Sequence, residues 1–165
     1  MYARAADVIE GVTMTVKEIK DFMRSIRSEQ AEIMHLKQMI AEEEASLLPK
    51  AIVYDKDKVQ VCPEERFSTV CAKVAEYQME LGQSIAIIMQ KKRRAECMIR
   101  ELGDEKEREV LRWYYLTTEG GNLLTWGQVA IRMNYYERHI KRIHGNALVH
   151  LSDKLCEEQE DEADS

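Results

Sequence analysis

Arg138, His139, Lys141 and Arg142 stand within five residues of one another, flanked by Tyr136, Glu137 and Asn146. Side chains of this kind, cationic or rich in hydrogen-bond donors, match the phosphate oxygens and base edges of nucleic acid. Only Glu137 opposes the four Lys/Arg between Thr125 and Leu151. Other chemistry is hard to find in the sequence. It holds no nucleophile elbow or paired-carboxylate constellation, and Gly120-Gly121 reads as a connection rather than a phosphate loop. Asp104 with Glu107 reads as a helix cap. Cys62, Cys71, Cys97 and Cys156 form no CxxC pair, and their spacing suits reduced thiols. His139 and His144 fall on different faces of one helix, and His144 with His150 fares no better, so no shared metal is expected. The expectation is a binding protein with no enzymatic activity and no cofactor.

Two short helices must position the basic residues. The run from Thr125 to Leu151 reads TWGQVAIRMNYYERHIKRIHGNALVHL. Thr125 and Gln128 have the spacing of a capping box, which starts a helix whose buried positions are Val129, Ala130 and Met133. Asn134 tolerates the left-handed backbone of a tight turn, and Tyr135 is spaced to pack back into the core. Ile140, Ile143, Ala147, Leu148 and Leu151 then share one face of a second helix. Tyr136, Arg138, His139, Lys141, Arg142 and Asn146 are left on its other faces. Such a pair reads as a helix-turn-helix that contacts duplex DNA. Thr125 joins the expected contacts. The cluster Lys91-Lys92-Arg93-Arg94 is a candidate for auxiliary phosphate contacts, although four successive cations point all around a helix and also suit a solvated segment.

From Leu102 to Leu151 the chain resembles region 4 of sigma-70-type factors, the module that reads the promoter −35 element. The matching residues are Glu107-Arg108-Glu109-Val110-Leu111, Tyr115, Thr125, Val129-Ala130, Arg138, Ile140, Ile143, Ala147-Leu148 and Leu151. The rest, including Val59-Gln60-Val61-Cys62-Pro63, is similar to small phage and prophage regulators of the ArpU/RinA late-transcription type. The resemblance implies a sequence-specific transcription regulator that activates late phage genes at a promoter, with host RNA polymerase as a further partner. Two alternatives stay open: a small terminase subunit that packages DNA, and a region 4 mimic that binds polymerase or sigma without touching DNA. There are departures. Tyr136 stands where region 4 modules carry a capping Ser or Thr, so the second helix is expected to use Asn134 instead. Glu137 stands where an Arg is common. The first hundred residues resemble none of the remaining sigma regions.

The chain has 165 residues, with only two prolines and seven glycines, and charged residues make up 33%. Long helices are therefore expected. No apolar run approaches a membrane span, and the N-terminus lacks the apolar core of a signal peptide, which places the protein in the cytoplasm of a bacterial host, at the nucleoid. The net charge of −6 is uneven. Residues 1–90 carry 11 Lys/Arg against 15 Asp/Glu, residues 91–154 carry 13 against 9, and the tail from Leu155 has six acids and no base. The positive field is thus local to the presumed DNA-binding part.

The expected fold is all-α: a long helical hairpin over residues 1–102, a helix-turn-helix domain over 103–154 and an acidic disordered tail over 155–165. Thr15 and Glu18 cap the first long helix. Val16, Ile19, Met23, Ile26, Gln30, Ile33, Lys37 and Ile40 recur at alternating spacings of three and four, a coiled-coil seam with two polar interruptions. Pro63 suits the first turn of the second, whose seam is Phe67, Val70, Val74, Tyr77, Leu81, Ser84 and Ile88 and resumes weakly at Ala95, Met98 and Leu102. Between them, Lys50 to Pro63 reads as an extended link. Two such seams suggest a hairpin that also pairs with a second copy as a homodimer.

Overall fold

A computed structural model describes residues 14–47 and 63–163. The Lys50–Pro63 link, up to Cys62, lies outside them. The elements are α1 (Val16–Ser46), α2 (Pro63–Arg100), α3 (Glu105–Leu111), a π-helical turn (Arg112–Leu116), β1 (Thr118–Glu119), β2 (Asn122–Leu123), α4 (Trp126–Met133) and α5 (Glu137–Ala163). The described chain is mostly helical, and none of its helices is long and apolar enough to cross a membrane.

Two compact units divide it. One comprises Glu32 to Ile87; the other combines the chain up to Ala31 with everything from Ile88 onward. The first half of α1 and the end of α2 therefore belong with the C-terminal elements. Ile19, Met23 and Ile26 on α1, and Ala95, Met98, Ile99 and Leu102 at the end of α2, are all buried. The stretch that reads as a weak continuation of a seam is thus among the deepest in the chain.

α1 starts at the expected capping box, with the Glu18 amide donating to Thr15 Oγ1 (3.3 Å) and the Thr15 amide to the Glu18 carboxylate (2.8 Å). The Thr15 amide and hydroxyl (2.8 Å), both donating to the Glu18 carboxylate, hold it below its ordinary range. Within the unit from Glu32 to Ile87 the two long helices run antiparallel. Arg66 donates to the Ser46 carbonyl (3.4 Å), and Lys73 pairs with Glu43 at 3.4 Å. Leu36 and Val70 are buried, whereas Lys37 is exposed and Phe67 is 59% exposed. Phe67 departs from its seam because it lies in the first turns of α2, opposite the end of α1.

In the larger unit, polar side chains of α1 and α2 converge on the end of one helical rod. α3 and the π-helical turn form one rod whose last carbonyls have no partner within it. Arg27 donates to the Tyr114 carbonyl (2.5 Å) and to that of Leu124 (3.0 Å). Gln30 donates to the Tyr115 carbonyl (3.1 Å) and Lys92 to the Leu116 carbonyl (2.9 Å). Gln30 is buried, so its polar interruption of the seam is a cap for this rod. Lys92 brings a positive charge to the negative end of the rod's dipole, and burial lowers its ammonium pKa.

Three of the four cations of the basic cluster are thus engaged within the fold. Besides Lys92, Lys91 pairs with Glu29, and Arg94 lies 5.3 Å from the centre of the Phe22 ring. Arg93 is exposed. Lys92→Ala is expected to cost about 1–2 kcal/mol by stranding the Leu116 carbonyl, and Arg93→Ala less than about 0.5 kcal/mol. Urea titrations of the two variants beside wild type measure the contrast.

The fold is consistent with the expected all-α class, and two features add to that expectation. β1 and β2 form a hairpin whose turn residues, Gly120 (φ 57°) and Gly121 (φ 81°), adopt the left-handed region that favours glycine. Strands of two residues are too short to carry an alternating pattern, so the sequence hides them. α5 runs on to Ala163, and Leu155, the first residue of the presumed tail, is buried. Residues 155–163 contain neither Gly nor Pro, and their Glu, Gln and Leu residues favour helix.

Candidate nucleic-acid interface

Asp104 starts α3 by accepting from the Lys106 amide (2.9 Å), as its spacing suggests. Val110, Leu124, Val129, Ala130, Ile140 and Ile143 form a core beneath α4 and α5, with Trp113, Tyr114, Trp126, Met133 and Tyr135 packed against it. The expected inward face of α5 is buried through Ala147, Leu148 and Leu151.

The α4–α5 connection is built from backbone geometry. Gln128 donates its amide to Thr125 Oγ1 (3.4 Å), and its side-chain carbonyl accepts from the Thr125 amide (2.8 Å) and hydroxyl (3.0 Å). The Thr125 hydroxyl is engaged in this capping box and holds the start of α4. Asn134 adopts φ 57° and ψ 44°, and the Tyr135 amide donates back to the Ala130 carbonyl (2.9 Å). Asn134 thereby closes α4; it does not cap α5 as the replacement of Ser or Thr by Tyr136 suggested. The Tyr136 carbonyl accepts the first bonds of α5, from His139 (2.9 Å) and Ile140 (3.1 Å).

His144 belongs to the interior. Its Nε2 is 2.9 Å from the Tyr115 hydroxyl, and its ring meets Trp126 edge-on, with centroids 4.9 Å apart. Trp126 in turn stacks on Tyr114 at 3.6 Å. Burial, reinforced by the charges of Lys20 and Arg24, lowers the His144 pKa to about 4, so the ring is neutral at physiological pH. Burial raises the Tyr115 hydroxyl to about 12. His150 points elsewhere and pairs with the buried Glu107 carboxylate at 2.9 Å, which raises its pKa. Among the described residues, no cluster of His, Cys, Asp or Glu is arranged to hold a metal.

Tyr136, Arg138, His139 and Arg142 line one open concavity of about 640 Å³ at the start of α5. Tyr136 is 88% exposed. Arg142 Nη2 lies 3.1 Å from His139 Nδ1. Lys141 is offset and forms an i,i+4 pair with Glu137 at 2.5 Å, so the two charges on that flank offset each other. Asn146 is exposed one turn further along. No match to this chain is found among protein-family models, curated proteins or solved structures. The geometry of this surface has to carry the functional argument.

One further cation comes from another element. Lys106, on α3, sits 5.7 Å from the centre of the Tyr135 ring, whose centroid is 4.8 Å from that of His139. Its pKa is raised, chiefly by its hydrogen bond to the Tyr135 phenol. Nothing local marks it, because it stands in an acidic run and reaches the surface of α5 only through the fold.

Proposed function

We propose that this protein is a sequence-specific double-stranded-DNA-binding transcription regulator in which α4, the Asn134 turn and α5 form a helix-turn-helix. The observation that carries this reading is the outward set Tyr136, Arg138, His139 and Arg142, gathered on the first turns of α5 around one concavity. In a helix-turn-helix these turns enter the major groove. Lys106 extends the cationic surface toward the DNA backbone, whereas Lys91, Lys92 and Arg94 stand outside it. The resemblance of residues 102–151 to sigma region 4 favours a promoter as the target. Late-gene activation in a phage, with host RNA polymerase as partner, follows from that resemblance. Pairing of two copies through the Glu32–Ile87 unit would bring two reading heads to one duplex, and sedimentation at micromolar concentration reports it.

Selection of bound duplexes from the fragmented source genome, followed by footprinting, tests the proposal. A promoter is the expected recovery; a packaging site would favour the terminase reading. On the selected duplex, Arg142→Ala is expected to cost about 1–3 kcal/mol and relax one or two base pairs. Lys141→Ala should weaken all duplexes alike and lower the salt slope by about one, with Lys106→Ala behaving in the same way. Titrations at two salt concentrations against the site and a scrambled duplex measure these effects. If neither Arg142→Ala nor Lys141→Ala alters binding, α5 is not the reading head, and polymerase binding without DNA contact becomes the better reading.

A further inference from the structure

His139 and Arg142 are three residues apart on α5, so their side chains leave the helix on one face. The contact between them, 3.1 Å from His139 Nδ1 to Arg142 Nη2, has one consistent proton arrangement. A guanidinium carries five N–H donors and no acceptor, so the imidazole nitrogen that faces it must accept. His139 is then the neutral tautomer with its proton on Nε2. Its ring is half-buried and braced by Tyr135, 4.8 Å away between centroids. The guanidinium is held at one corner, which leaves Nη1 and its remaining N–H groups for an outside partner.

Arg138, the Nε2 of His139 and the free edge of Arg142 thus offer only donors to the same concavity. Glu137, the nearest acid on the helix, is engaged by Lys141. The fourth lining residue, Tyr136, carries a hydroxyl that donates or accepts, so the surface as a whole favours acceptors. In the major groove guanine presents two side by side, N7 and O6, whereas adenine sets a donor beside N7, cytosine a donor alone and thymine one acceptor beside a methyl group. We propose that His139 and Arg142 act as one reading unit for guanine, with Arg142 making the base contact and His139 as the positioning residue that fixes the plane of its guanidinium. This rests on the DNA-binding reading above.

The test uses the full chain and its selected duplex, with 7-deazaguanine placed at each guanine in turn to delete N7 while preserving base pairing. Wild type should lose about tenfold in affinity at one guanine. Arg142→Ala should bind more weakly and be indifferent to the same replacement. His139→Ala should show a penalty of only about threefold. His139→Gln, whose amide oxygen can accept from the guanidinium, should restore most of it. A selected site without guanine, or a wild-type protein indifferent to every 7-deazaguanine, overturns guanine reading and leaves DNA binding standing. An unchanged tenfold penalty in His139→Ala overturns the positioning role. A wild-type protein that distinguishes no duplex from any other overturns both this proposal and the function on which it rests.

Discussion

Stability is expected to fall by about 3 kcal/mol as the pH drops from the ordinary histidine range to about 4, because His144 takes up a proton readily only once the fold has opened. The sign follows from the direction of its shift. The folded ring has a pKa of about 4, below its unfolded value of 6.5, so the unfolded chain binds the proton more tightly. Stability is therefore complete above the unfolded value and is lost as the pH falls toward the folded one. His150 acts in the opposite sense. Its pKa is raised by Glu107, so its contribution is full below the unfolded value and declines as the pH rises through the folded one; at an exposed position it is small. Denaturant titrations between pH 4 and 7 on wild type and His144→Phe are the measurement. The substitution forfeits the hydrogen bond to Tyr115 and lowers stability at neutral pH, but it should flatten the acid slope. An equally steep slope in both proteins would assign the acid sensitivity elsewhere.

Arg27→Ala is expected to destabilise the protein by about 2–4 kcal/mol. The guanidinium donates to two carbonyls, those of Tyr114 and Leu124, and its carbon lies 4.1 Å from the centre of the Tyr114 ring. Removing it leaves two peptide oxygens without their donor and uncovers the face of a ring stacked on Trp126. Arg27→Lys should recover less than half of the loss, since a point charge does not reproduce a planar fork that serves both carbonyls. The near-ultraviolet circular dichroism of the aromatic stack should weaken in step with the denaturant midpoint. A loss under about 0.5 kcal/mol would mean that water replaces the guanidinium freely.

The parts of this architecture that were legible in the sequence depend on local rules. The Thr125–Gln128 capping box, the left-handed Asn134 and the inward face from Ile140 to Leu151 are each set by residues within a turn or two, so type and spacing suffice to read them. The same holds for the Thr15–Glu18 box and for Asp104. What stayed hidden depends on pairs distant along the chain. Lys91 and Lys92 read as solvated or phosphate-binding cations because nothing beside them reveals Glu29 or the Leu116 carbonyl. Gln30 reads as a flaw in a heptad because its partner is 85 residues away. Periodicity also does not mark where one compact unit gives way to the other: a helical stripe looks the same whether it faces one partner helix or two successive environments along its length.

The larger unit is discontinuous in the chain, with Glu32 to Ile87 inserted between its two parts. Arg27 finds the Tyr114 carbonyl only across 87 residues. On a ribosome that adds about 5–20 residues per second, α1 emerges roughly 4–17 seconds before its caps have anything to bind. During that interval the carbonyls that Arg27 and Gln30 cap do not yet exist. The apolar face of Ile19, Met23 and Ile26 belongs to a unit that is completed only by residues made after Ile87. Holding chaperones, or pairing with a neighbouring nascent chain, would bear most directly on the yield of this protein at that stage.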